Sequence, residues 1–210
     1  IPFSDPIAEG PVIQEANLRS LAQGTTTDKV FELTKKLSGR VDTPLVYMTY
    51  LNVLFKYGYD KFLQNAKDAG ISGVIVPDLP YEEKDELQSV AEKYDIDVIS
   101  LIAPTSEDRI KMIASDAKGF IYTVSSMGVT GMRNEIKTDL QSIVSHIKSV
   151  TDVPVAIGFG INKPQQAKEF SAYADGVIVG SAIVNIVAEH GKDAPEYVFD
   201  YVKSMKDAIR

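Results

Sequence analysis

The chain has no cysteine, and only 2 histidines in 210 residues. Without cysteine there is no disulfide, no thiolate metal site and no cysteine nucleophile, a usage that fits a cytoplasmic protein. Long apolar runs are also lacking. None approaches the roughly 18–20 residues of a membrane span, and no signal-peptide pattern is visible. Positive charge is short: 22 Lys and Arg stand against 29 Asp and Glu, a net charge of -7 at pH 7. That balance argues against a general nucleic-acid surface. A local phosphate site stays open to an acidic protein, because backbone N–H groups at helix starts hold anions without basic side chains. There is no HxxE pair, no acidic cluster at metal spacing and no GxGxxG opening a βαβ unit, so neither a metal nor a nicotinamide or flavin cofactor is implied. His146 falls off the apolar face of its helix and is expected to be solvated. His190 precedes Gly191 at a helix end, where an imidazole favours the negative dipole end. Neither is expected to be a catalyst or ligand.

What is present is an ordinary globular composition, 44% hydrophobic and 24% charged. Short apolar runs recur at 44–50, 73–79, 97–104, 119–126, 154–160 and 175–183. They are β-branched and apolar on both parities, as strands of a parallel sheet buried on both faces are. Between them lie helical patterns. Leu87, Val90, Ala91 and Tyr94 share one face; so do Ile110, Ile113, Ala114 and Ala117, and Leu140, Ile143, Val144 and Ile147. Ser106 is placed to cap its helix, with Glu107 and Asp108 favouring the positive end. A helix over 12–23, stopped by Gly24, follows the opening loop "IPFSDPIAEGP". A last helix at about 195–209 carries Val198, Tyr201, Val202, Met205 and Ile209 on one face.

The result is a β-α repeat of about 20–30 residues per unit, without a linker, read as one domain over residues 1–210. An open doubly wound sheet needs five or six strands; a (β/α)8 barrel needs eight and about 250 residues. The opening stretch reads as the end of a strand and the loop after it. The expected fold is therefore α/β, a (β/α)8 TIM barrel, with β1, α1 and most of β2 outside this chain.

The chemistry-bearing signals sit at strand ends. "VAIGFGI" ends one strand with Gly158, Phe159 and Gly160; "VIVGSAI" ends the next with Gly180, Ser181 and Ala182, opening a helix. Barrels build phosphate sites from the loops after their last two strands and a helix N-terminus. Glycine lets the backbone approach the anion, and free N–H groups hold it. Plain turn chemistry is the bland reading. "SSMGVTGMRNE" (125–135) is long for a βα loop and reads as a lid, or as a plain surface loop. Asp5 and Glu9, between prolines of the opening loop, are a turn cap and a solvated charge, or carboxylates of a site. Tyr50 and Tyr122 are core filler or site hydroxyls, and Asp78 is a site group or a turn former.

"IPFSDPIAEGPVIQ", "PDLPYEE", "SSMGVTG", "GFGI" and "GSAIV" occur in the order and spacing of the tryptophan synthase α subunit family, which the chain resembles over essentially its whole length. That resemblance implies a lyase that cleaves indole-3-glycerol phosphate to indole and glyceraldehyde 3-phosphate by a retro-aldol step, in tryptophan biosynthesis, without a cofactor. It implies a phosphate held at Gly131, Gly160, Gly180 and Ser181, and an indole among Met48, Ile75 and Phe159; Tyr50, from its place at a strand end, is taken as a further substrate-binding residue. It implies that Tyr122 lies beside the reacting side chain, and that Thr130 ties the closed lid to the loop carboxylate, here Glu9. It implies that the loop with Asp5 faces a β subunit that holds pyridoxal phosphate, in an αββα assembly, and receives the indole. The family's loop carboxylate is usually Asp; Glu9 has one more methylene, which moves its oxygens by roughly 1 Å. The family's principal acid/base is a Glu three residues before the Ile of "IPFSDP", upstream of Ile1. Two alternatives stand beside the enzyme: a truncated α-like protein that binds or modulates a β subunit, and another phosphate-binding barrel, an isomerase or epimerase, against which the "FSDP" loop argues.

Overall fold

The structure, a computed structural model, describes residues 1–124, 139–158 and 160–210. The expected lid, with Thr130 and Gly131, and also Phe159, lie outside the described residues. The chain divides into two compact units, residues 1–7 with 17–100, and residues 8–16 with 101–210. Helix α1 (Pro11–Ala22) contributes to both.

In the first unit, α2 (Thr27–Ser38) precedes β1 (Leu45–Met48), α3 (Leu51–Tyr57), α4 (Tyr59–Asp68), β2 (Ile71–Ile75), α5 (Lys84–Ala91) and β3 (Asp97–Val98). The strands are parallel in the order β1-β2-β3, with Met48 opposite Ile75 and Val74 opposite Val98. Helix α2 is absent from the sequence reading. Thr26 starts it, its hydroxyl accepting from Lys29 N at 3.3 Å. Phe31 and Thr34, one turn apart, face inward. Phe31 meets Tyr47, Tyr57 and Phe62 edge-on at 5.2–5.7 Å between ring centres. Leu54, Leu63 and Leu87 are fully buried beside them, each contributing on the order of 1.5–3 kcal/mol by leaving water. The expected strand at 97–104 is interrupted at Ile99, whose N–H still donates to Val74 O at 2.9 Å.

Strand β4 (Ser100–Ile102) begins at the last residue of the first unit and continues in the second, where α6 (Glu107–Ser115), β5 (Ile121–Val124), α7 (Leu140–Lys148), β6 (Val155–Gly158), α8 (Pro164–Phe170), β7 (Gly176–Val177), α9 (Ser181–His190) and α10 (Ala194–Ala208) follow in turn. The sheet order is β4-β5-β6-β7. The caps behave as the side-chain chemistry dictates. The Ser106 hydroxyl accepts from Arg109 N at 3.4 Å, and Asp139 accepts from Ser142 N at 3.0 Å. Leu140, Ile143, Val144 and Ile147 are all buried, as their spacing implies. His146 is less solvated than expected: its Nε2 lies 3.5 Å from the carboxylate of Glu107, joining α7 to α6. Asp175, ahead of β7, accepts from Val155 N at 2.9 Å and pairs with Lys148 at 3.1 Å. One carboxylate thus ties the start of β6 to the end of α7. The Val155 N–H, followed by Lys148, holds the Asp175 carboxyl below its ordinary pKa.

Candidate functional site

Both sheets present their candidate groups at the C-terminal ends of parallel strands. In the first unit, Met48 ends β1 and Ile75 ends β2, and the two stand opposite each other in register. Ile75 is buried and Met48 half-buried. The main-chain N of Ile1 donates to Met48 O at 2.7 Å, so the opening residues run beside this strand end. Phe3 then packs on Tyr50, with ring centres 5.4 Å apart, and Tyr50 is buried. Asp5 is exposed and accepts a hydrogen bond from the Ser4 hydroxyl. Asp78 has a role that neither of its two readings named: its carboxylate accepts from Leu51 N at 2.8 Å and caps α3 across 27 residues.

In the second unit, Glu9 is buried, with 9% of its surface exposed. The solvated reading of this carboxyl is therefore set aside. The Gln14 side chain donates to Glu9 O at 2.7 Å, while Ile13 N and Gln14 N donate to Gly10 O at 3.2 and 3.1 Å. These bonds turn the loop into α1 directly behind Glu9.

Tyr122, in β5, is also buried, and burial pushes its phenol up to about 12. Its ring lies on the Cα of Gly158, at the end of β6. A Cβ at position 158 would sit 2.3 Å from Tyr122 Cε2 and 2.5 Å from its hydroxyl. Only glycine admits the ring there. A general glycine signal at a strand end thus has a definite cause, one that the sequence does not reveal.

Strands β5, β6 and β7 are adjacent and parallel, with Val124 opposite Gly158 and Ile157 opposite Val177. The Ile178 N–H extends the last ladder to Ile157 O at 2.7 Å. Gly160 and Gly180 therefore emerge at the same end of the sheet, on neighbouring strands. Gly160 has φ +92°, a left-handed conformation that suits glycine. Gly180 immediately precedes α9, takes no side-chain cap, and has open space where a side chain would stand. The first N–H groups of α9, beginning at Ser181, lie at the positive end of the helix dipole.

The turn after Gly160 is held by residues that the sequence reading does not single out. Asn162 Nδ2 donates to Gly160 O at 2.9 Å. Asn162 N and Lys163 N both donate to Gln166 Oε1, at 2.9 and 3.1 Å. The Tyr201 hydroxyl, from α10, donates to Asn162 O at 3.0 Å. Among the described residues, no group of three or more His, Asp or Glu is disposed to hold a metal ion. No helix there is long and apolar enough to cross a membrane.

Comparison with known proteins bears on this arrangement over the whole chain. The family model described as tryptophan synthase alpha chain matches residues 1–210. The chain belongs to the tryptophan synthase α-chain family. The α chain of Lacticaseibacillus casei is 50% identical over 209 residues, covering 100% of this chain and 79% of that one. That of Lactiplantibacillus plantarum is 48% identical with the same coverage. Among solved structures, the tryptophan synthase α2β2 complex of Pyrococcus furiosus has a chain with TM-score 0.89 and 36% identity, covering 99% of this chain and 84% of that one. The α chain of Legionella pneumophila gives TM-score 0.85 at 37% identity, covering 100% and 78%. With membership in this family comes its fold class, the (β/α)8 barrel. The parallel strands, alternating with helices except where β3 runs on into β4 at Ile99, accord with it.

Proposed function

We propose that this protein is the α subunit of a tryptophan synthase, a carbon-carbon lyase that cleaves indole-3-glycerol phosphate to indole and glyceraldehyde 3-phosphate. The observation that carries the reading is the family match across all 210 residues. The placement of Gly160 and Gly180–Ser181 at adjacent strand ends supports it. The reaction needs no cofactor. The partner is a β subunit that holds pyridoxal phosphate, and the pair works in the cytoplasm in amino-acid biosynthesis. Residues 1–210 belong to one barrel domain.

The chemistry asks three things of the site. The phosphate must be anchored, which the backbone amides of Gly160, Gly180 and Ser181, with Gly131 of the lid, do without a cationic side chain. The indole must be held among apolar groups, Met48, Ile75 and Phe159, with Tyr50 a further substrate-binding residue. Carbon-carbon cleavage then requires a proton at indole C3, giving a cationic indolenine, and removal of the proton from the neighbouring side-chain hydroxyl. The electrons of the breaking bond return to the ring, and the new carbonyl leaves with the phosphate. Glu9 accepts from the ring N–H and stabilises the developing positive charge, an effect strengthened by its burial. The proton transfers fall to a second carboxyl, which in this family lies upstream of the position of Ile1. Tyr122, a buried neutral phenol, packs beside the reacting side chain. Thr130 ties the lid to Glu9, and Asp5, exposed on its loop, faces the β subunit.

The test is turnover of indole-3-glycerol phosphate with a tryptophan synthase β subunit present. Equimolar indole and glyceraldehyde 3-phosphate support the lyase. A protein that enhances the β reaction but cleaves no substrate is instead a non-enzymatic modulator.

A further inference from the structure

We propose that Tyr201 is a positioning residue for the phosphate-binding turn, through which the C-terminal helix α10 sets the affinity for the phosphate end of the substrate. The inference rests on the phosphate site proposed above.

Gly160 presents its N–H from a left-handed conformation that it shares with few other residue types. A turn of this kind is a usable anion site only if its peptide planes are fixed, since each free rotation must be frozen when the ligand binds. Residues 160–163 are fixed from three directions. The Asn162 side chain closes back on Gly160 O at 2.9 Å. Gln166, in the first turn of α8, takes the N–H groups of Asn162 and Lys163 on one oxygen. Both of those braces are local, within six residues of Gly160. Tyr201 is the third and lies 39 residues from Asn162 in sequence, reaching Asn162 O at 3.0 Å.

Asn162 is thus held at its main-chain N, its main-chain O and its side chain, and it hands that fixity to Gly160 through one hydrogen bond. Helix α10 packs on both α8 and α9. The same helix therefore backs the element that follows Gly160 and the element that begins at Ser181. Tyr201 is half-buried, and burial raises the pKa of its phenol, which is a hydrogen-bond donor at neutral pH in any case. Its ring makes no claim on the ligand. It acts through Asn162.

The experiment measures glycerol 3-phosphate and inorganic phosphate affinity by calorimetry for the wild type, Tyr201→Phe, Asn162→Ala, the double variant and Gly160→Val. Tyr201→Phe keeps the ring and removes the bond, and is expected to weaken glycerol 3-phosphate binding about three- to tenfold, the range of one lost hydrogen bond. Asn162→Ala is expected to weaken it at least as much. Because the two act in series, the double variant should bind like Asn162→Ala alone rather than showing the product of both losses. In steady-state turnover the Tyr201→Phe loss should fall on KM with kcat preserved. Unchanged affinity in Tyr201→Phe, fully multiplicative losses, or a loss confined to thermal stability would overturn the proposal. If the wild type binds glycerol 3-phosphate and Gly160→Val abolishes that binding, the phosphate site stands whatever Tyr201 does. If the wild type does not bind it, the site and this inference fall together.

Discussion

Substituting Gly158 by alanine probes the packing of the site more sharply than any change at a charged residue. The added Cβ would stand 2.3, 2.5 and 2.6 Å from three atoms of the Tyr122 ring and hydroxyl, far inside van der Waals contact. Neither partner can yield cheaply. Gly158 and Tyr122 lie on paired strands, and both are buried. The ring must leave its rotamer or the β5–β6 ladder must part. Overpacking of this kind costs about 1–3 kcal/mol, and the absence of slack on either side places it near the upper end. For a chain of this size, that corresponds to a fall in Tm of roughly 5–10 °C. The assay is chemical or thermal unfolding of Gly158→Ala in wild-type and Tyr122→Ala backgrounds. Tyr122→Ala is itself expected to cost about 3–5 kcal/mol. Once the ring is gone, Gly158→Ala should be close to neutral, because its cost is the clash alone. Equal cost in both backgrounds would refute the reasoning, since the penalty would then belong to the backbone.

Other outcomes follow from single contacts. Asp175→Ala should destabilise by about 1–2 kcal/mol, a charge-assisted bond discounted for its exposure. The Asp175 carboxyl is depressed, so its stabilisation is present above the ordinary Asp range near pH 4 and is lost as pH falls through its lower folded value. Urea titrations below pH 4 should accordingly show a shallower acid loss in Asp175→Ala than in the wild type. Asp78→Ala should leave Leu51 N without its cap, costing about 1 kcal/mol and speeding amide exchange at the start of α3; unchanged exchange would contradict the cap. Glu9→Gln should lower indole release at least tenfold while leaving phosphate affinity intact, and unchanged turnover would remove Glu9 from the site.

Helices α6 and α7 were legible because their apolar stripes at helical spacing are contiguous in sequence, with Ser106 ahead of the first. The parallel strands were legible for the same reason, as short runs apolar on both parities. Helix α2 was not, because its inward pair, Phe31 and Thr34, is split by polar neighbours and one member carries a hydroxyl. The interruption at Ile99 is a matter of ladder geometry and leaves no trace in composition. At the site, glycines and carboxylates could be nominated from their positions at strand ends, but not their circumstances. Burial of Glu9, the capping duty of Asp78 and the ring of Tyr122 over Gly158 each depend on residues brought together from distant sequence. Tyr201 shows this most plainly. Its spacing marks it as one more apolar position on α10, whereas its hydroxyl reaches a turn 39 residues away.

The central claim is that the substrate's phosphate rests on the backbone at Gly160 and at the start of α9. Backbone-amide NMR during titration with indole-3-glycerol phosphate tests it most directly. The largest shifts are expected at Gly160, Gly180, Ser181 and Ala182, reproduced by glycerol 3-phosphate but not by indole alone. Shifts of those amides with indole alone, or phosphate-dependent shifts that bypass them for another surface, would contradict it.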